Sequence, residues 1–233
     1  MEHNASGAAD AGCDAGSVIT AIEPQEHHPD RRSIFVNGEF AVGVHFEVVL
    51  SLGLAVGQRV DRQHLAEIAK AEALRRAKDY ALRLLSYRQR TQKEIHDRLK
   101  SKGYDDETIS AVLAQLAEIG LVNDSAFADA WVNWRRQSKP AGRTLLKWEL
   151  RAKGVPPEVT EDVLSQLGPE QEREDALTAA RRKLRQSGTR DPQSAKRGLT
   201  DFLRRRGYDW DVIRYVLNTL AEEGQWEPVD PDG

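Results

Sequence analysis

Beyond residue 61 the chain keeps a helical rhythm. Leu65, Ile68, Ala69, Ala73, Ala77, Tyr80, Ala81 and Leu84 recur at steps of three and four. That spacing predicts one helix, opened by Asp61 and closed near Ser86. The stretch TQKE at 91–94 has the form of a capping box and predicts the next helix, which buries Ile95 and Leu99 and stops at Gly103. Asp105 or Asp106 then opens a third helix, with Ile109, Val112, Leu113 and Leu116 on one face and an end at Gly120. The cycle restarts at Asn123 or Asp124. A helix carries Phe127, Trp131 and Trp134 as far as Pro140 and Gly142, a second runs over 143–153 to Gly154, and a third begins at Pro156-Pro157. A third round starts near Pro169, breaks at SGTRDP, resumes through Leu199 and Leu203 to Gly207, and closes with Ile213, Val216, Leu217 and Leu220.

Upstream the period changes. In SIFVNGEFAVGV (33–44) two apolar runs flank Asn37-Gly38, a pair suited to positive φ at both central positions of a hairpin turn. HFEVVLSLGL (45–54) predicts a short helix or a third strand. Residues 1–30 hold few large apolar side chains and much Ala, Gly and Asp, and read as a disordered acidic tail. The final WEPVDPDG reads as loose.

One phrase recurs: LKSKGYDDETISAVL (99–113), LRAKGVPPEVTEDVL (150–164) and LRRRGYDWDVIRYVL (203–217). It is the second half of a three-helix unit repeated three times, and such periods mark units that complete their cores against a neighbour. The expected fold is mostly α, with tandem three-helix units in an elongated curved stack and a small N-terminal β-hairpin extension. The expected divisions are a tail (1–30), a hairpin and short helix (31–60), repeats over 61–121, 122–168 and 169–223, and a tail (224–233).

Charge refines this picture. The net charge of −3 conceals a segregation, because residues 1–30 contain six acids and no Lys or Arg, and the remainder is basic. Acids gather at the start of the third helix of each unit, where they complement the helix dipole. Bases gather on the first two helices. Arg83, Arg88, Arg90, Lys93, Arg98 and Lys102 lie in the first unit; Arg135, Arg136, Lys139, Arg143, Lys147 and Arg151 in the second; Arg181, Arg182, Arg185, Arg197, Arg204, Arg205 and Arg206 in the third. Solvated surface alone explains some of them. Clusters that span two successive helices in every unit point to an anionic partner; nucleic acid is the natural one, and an acidic protein surface would serve equally. Trp131, Trp134 and Trp148 could stack on bases, but their helical spacing predicts burial between helices.

No catalytic pattern emerges. The six His are scattered without metal-ligand spacing, no Gly-rich phosphate loop or nucleophile elbow is present, and the lone Cys13 sits in an Ala/Gly/Asp segment. The expectation is a protein with no enzymatic activity, cofactor or metal. The absence of an apolar run near 18 residues predicts no membrane span. With no signal peptide at 1–10 and one Cys, a cytoplasmic location is expected, and the chain is expected to act as a monomer.

The segment GLVNDSAFADAWVNWRRQSKPAGRTLLKWELRAKGV (120–155) resembles the RecX family of recombination regulators. The resemblance lies in Gly-Leu, the acidic-pair position at Asn123-Asp124, Phe127-Ala128, the aromatic at 131, the Arg-rich helix end, Gly142, and Glu149-Leu150 leading to Lys153-Gly154. It extends to the flanking units and to the hairpin, over roughly 31–223. Asn123 replaces the usual acid, a change that a helix cap tolerates. The resemblance implies a modulator, typically an inhibitor, of RecA recombinase filaments in homologous recombination and the DNA-damage response. It implies the RecA filament as the main partner and DNA as a nonspecific second one. A helix-turn-helix-like transcription regulator is the alternative; it would need a base-reading helix and usually two-fold symmetry, which three basic units in tandem do not suggest.

Overall fold

The computed structural model describes residues 16–187, 191–224 and 226. Cys13, the first half of the expected acidic tail, part of the break at SGTRDP and nearly all of the C-terminal tail lie outside the described residues.

The N-terminal part is a four-stranded antiparallel sheet of order β3-β2-β1-β4, built from β1 (Ser17–Gln25), β2 (His28–Val36), β3 (Glu39–His45) and β4 (Arg59–Val60). The expected disorder over 1–30 is therefore corrected for residues 17–30. Val18, Ile19, Thr20 and Ile22 form a β-branched run, and Ile19 is fully buried. The Ala/Gly-rich residues before this run mask it in the sequence. Asn37 (φ 51°) and Gly38 (φ 87°) turn β2 into β3 with both central residues at positive φ, as the dipeptide requires. The turn is tied back to β1: Val18 N donates to Asn37 Oδ1 at 3.0 Å, and Gly38 N to Thr20 Oγ1 at 2.9 Å. The segment after β3 forms helix α1 (Phe46–Ser51).

Among the described residues, nine helices follow in three rounds: α2 (Arg62–Tyr87), α3 (Gln92–Ser101) and α4 (Asp106–Glu118); α5 (Asp124–Ser138), α6 (Arg143–Ala152) and α7 (Pro157–Ser165); α8 (Pro169–Ser187), α9 (Pro192–Arg205) and α10 (Trp210–Glu222). The side chains of Asp61, Asn123 and Asp191 accept from the backbone three residues on and start α2, α5 and α9. The middle helices α3, α6 and α9 end alike. Tyr104, Val155 and Tyr208 each donate back to Leu99, Leu150 and Leu203, and Gly103, Gly154 and Gly207 donate to Lys100, Arg151 and Arg204. This is the Schellman pairing, and it needs the left-handed conformation that glycine adopts without strain. Leu99, Leu150 and Leu203 are fully buried, worth about 1.5–3 kcal/mol each.

The chain divides into two compact units. The first comprises residues up to 88 together with 96–118. There the sheet packs Ile19, Ile34, Val36, Val44 and Val60 against Val48 of α1 and Ile68 of α2, and α2 continues on to pack against α4. The second comprises 89–95 and the chain from 119. The core of its first round joins Phe127, Val132, Leu146, Leu150, Val163 and Leu167. That of its second joins Leu177, Leu199, Leu203, Tyr208, Ile213 and Leu217.

Within the second unit the middle helices meet end to end. Gly142 N donates to Arg206 O at 2.9 Å and Thr144 N to Gly207 O at 3.3 Å, so the start of α6 abuts the end of α9. A Cβ on Gly142 would stand 2.2 Å from Gly207 O, so only glycine fits. The end of α6 meets the start of α3 in the same way: Thr91 Oγ1 donates to Lys153 O at 2.7 Å, and Gly154 lies against the Lys93 stem. Each junction sets the negative end of one helix dipole against the positive end of the next.

Candidate binding surface

The Arg and Lys candidates separate into two groups by what holds them. Arg135 is buried; its guanidinium meets Glu149 at 2.9 Å, and Glu149 also accepts from Trp131 Nε1 at 2.9 Å. Arg136 Nε donates to Asp175 at 2.7 Å. Arg143 donates its backbone N and its Nε to Glu172, at 3.1 and 2.8 Å. Its remaining nitrogens donate to Leu164 O and Leu167 O at the end of α7. Arg206 donates to Pro140 O at 3.0 Å. Burial, together with the nearby Arg135 guanidinium, lowers the pKa of Arg206. Arg135 thus ties α5 to α6, and the other three join one three-helix round to the next. All four are engaged in joints of the scaffold, Arg135 buried and the other three half-buried. The helical period carried the signal for Arg135, which falls in line with Ala128 and Val132 on the inward stripe of α5.

The other candidates reach solvent. Arg83 and Arg88 lie exposed at the end of α2, and Arg90, in the segment that follows, is half-buried. Arg98 and Lys102 are exposed at the end of α3, Lys102 lying 5.6 Å from the Tyr80 ring. Lys139 is exposed after α5. On α8, Arg181 pairs with Glu223, Arg182 donates to Ser138 O at 3.3 Å, and Arg185 is exposed. Lys147 pairs with Glu161 across α6 and α7.

The middle helices share one solvent-facing register. Counted from the buried leucines, it holds Lys93, Asp97, Lys100 and Ser101 on α3; Thr144, Trp148, Arg151 and Ala152 on α6; and Arg197, Asp201, Arg204 and Arg205 on α9, all exposed. Lys100 pairs with Asp106 at 2.7 Å. Trp148 is 65% and Trp134 51% exposed, so the expected burial of these two is corrected, while Trp131 is half-buried. Trp148 lies between the inward positions Leu146 and Leu150, out of phase with both, and this offset was readable in the sequence. Trp134 belongs instead to an aromatic chain, 5.0 Å from Trp131, which stacks on Phe127.

Among the described residues, the buried carboxylates are Glu72, Asp124 and Glu172, and each accepts a backbone N–H at the start of an earlier helix. Glu72 takes His45 N at 2.7 Å, Asp124 takes Gln92 N at 2.9 Å and Glu172 takes Arg143 N at 3.1 Å. Glu72 is also bound by Arg31 at 2.7 Å and Glu172 by Arg143, whereas burial holds the Asp124 carboxyl above the usual range against the pull of Gln92 N–H. Among the described residues no group of His, Cys, Asp and Glu is arranged to hold a metal ion, and no helix is long and apolar enough to cross a membrane.

Four family models match the chain in order. The RecX N-terminal domain matches residues 17–61, and the first, second and third RecX three-helix domains match 77–116, 123–164 and 170–217. The chain belongs to the RecX family. A regulatory protein RecX from Amycolatopsis mediterranei is 40% identical over 158 residues, 68% of this chain and 90% of its own. One from Clostridioides difficile is 28% identical over 210 residues, 90% of this chain and 99% of its own. A crystal structure of a regulatory protein RecX superposes with a TM-score of 0.73 at 26% identity, covering 86% of this chain and 98% of that one. RecX from Lactobacillus salivarius has the same fold, with a TM-score of 0.60 over 65% of this chain and 99% of its own. The RecX fold thus accounts for both the N-terminal sheet and the three helical rounds, and the family is one of regulatory proteins.

Proposed function

We propose that this chain is a noncatalytic, negative modulator of RecA recombinase filaments in homologous recombination and the DNA-damage response. It works in the cytoplasm as a monomer, with DNA as a second, nonspecific partner. Membership of the RecX family carries the reading. The repeated solvent register supports it. Lys100, Arg151, Arg197, Arg204 and Arg205 project from the exposed side of the middle helices, away from the leucines that anchor them. A scaffold that repeats one exposed face suits a partner that itself repeats.

The test is ATP hydrolysis by RecA assembled on single-stranded DNA, followed together with light scattering. Added protein should lower hydrolysis at near-stoichiometric ratios while hydrolysing no ATP itself, in keeping with a sequence that lacks a phosphate-binding loop. Scattering separates loss of filament from filaments that persist but are silenced. Unaltered hydrolysis and no co-sedimentation with filaments over a wide concentration range would overturn the proposal.

A further inference from the structure

The solvent register of the middle helices has one exception to its polar character. The position two residues before the buried leucine is Asp97 on α3 and Asp201 on α9, but Trp148 on α6. All three sites are exposed, so packing does not require an indole there. Its neighbours on the α6 face are Thr144, Arg151 and Ala152, with Lys147 alongside. Among these, Trp148 is the one large apolar side chain. A protein-docking face gathers several apolar anchors and excludes water around them. A lone indole beside Arg151, with Lys147 paired to Glu161, is instead the arrangement that holds a base by its face and a neighbouring phosphate by charge. The junction of α9 with α6 extends the cationic register, because the turn after Arg204 and Arg205 abuts Gly142 and Thr144. Ten-residue α6 is about 15 Å long, so Trp148 stands within one helix length of both Arg151 and the junction that follows Arg204 and Arg205.

We propose that Trp148 is the residue that makes this chain prefer single-stranded nucleic acid to duplex, by stacking an unpaired base between phosphate contacts from Arg151 and Arg204. A duplex hides its base faces within its own stack, so it gains nothing from Trp148 and meets only the cations. The inference rests on the DNA-binding part of the proposed function and not on the RecA part.

The test uses the full chain with fluorescently labelled oligo-dT and a mixed-sequence duplex of equal length, titrated by anisotropy at two salt concentrations. Trp148→Ala should weaken oligo-dT binding about tenfold, the size of one base–aromatic stack, and leave duplex binding within about twofold. Trp148→Phe, which keeps a ring, should retain most of the affinity. Arg151→Gln should weaken both probes and lower the salt slope by about one. Melting temperatures of all three should match the parent, since the side chains are exposed. Unchanged oligo-dT binding by Trp148→Ala, equal losses on both probes, or a Phe variant as weak as the Ala variant would each overturn the inference. So would loss of filament inhibition with oligo-dT binding intact, which would make the α6 face a protein-docking surface. The RecA reading is judged separately, by whether the parent protein inhibits filament ATPase.

Discussion

At the scale of single residues, two buried acids perform the same task in different settings, and their amide variants should part company. Glu172 accepts two donors from Arg143, so Glu172→Gln sets an amide NH2 against a guanidinium and should cost about 1–3 kcal/mol in chemical denaturation. Asp124 accepts Gln92 N–H and has a carboxyl pKa raised by burial. A raised acid pKa means that the native state holds the proton more tightly than the unfolded chain. This group's contribution is therefore most favourable below the unfolded value of about 3.9, and is lost as pH rises through the higher native value. Asp124→Asn keeps an acceptor for Gln92 and removes the charge. The variant should gain on the parent as pH rises through that acid window, and should match or exceed its melting temperature at neutral pH. A variant less stable at neutral pH than in acid, relative to the parent, would count against the assignment. Tyr208 offers a third case. Its hydroxyl is buried with no hydrogen-bond partner among the described residues, and burial pushes its pKa up. Tyr208→Phe should leave stability unchanged or raise it by about 1 kcal/mol.

At the scale of elements, the helix ends decide the packing. Gly142 and Gly198 are both glycines with ordinary backbone, and they should respond oppositely to alanine. A Cβ on Gly142 would stand 2.2 Å from Gly207 O and 2.5 Å from Tyr208 N, both backbone atoms, so α6 must shift from α9. Gly142→Ala should lose about 1–3 kcal/mol. Gly198 lies inside α9 with nothing within 4 Å of a Cβ, so Gly198→Ala should gain about 0.5–1 kcal/mol from helix propensity. Urea titration of the two variants checks both signs. The helices themselves were legible because cap, apolar stripe and terminal glycine agree at Asp61, Asn123, Gly103, Gly154 and Gly207. β1 was not, because SVITAI follows a long Ala/Gly/Asp stretch that dilutes its pattern. The two-residue β4 was not either, since Arg59-Val60 is too short to carry a period and is a strand only because β1 pairs with it.

At the scale of the whole molecule, the basic residues divide between building the repeats and facing outward, and charge clustering alone cannot sort them. Arg135, Arg136, Arg143 and Arg206 lie in the same runs as exposed bases, yet their guanidiniums close joints within and between the three-helix rounds. Charge clustering names the helices; phase against the buried leucines separates the inward bases from the exposed ones within them. The two groups should therefore fail in different ways. Arg143→Ala leaves Glu172 buried without its cation and should cost about 3 kcal/mol, with the melting transition falling before any change in ligand affinity can be read. The triple variant Arg197→Gln, Arg204→Gln, Arg205→Gln changes only exposed positions of α9. Its melting temperature should hold. Its affinity for single-stranded DNA should fall, and the slope of log affinity against log salt should shrink by about two to three, one counterion for each phosphate that the variant leaves unneutralised. Filament ATPase measured on the same variant then weighs the two proposed partners. Weakened DNA binding with full inhibition places inhibition on RecA contacts alone, and loss of both ties inhibition to the basic face of α9. An unchanged salt slope would remove α9 from the DNA-binding surface, leaving its arginines as solvated charge.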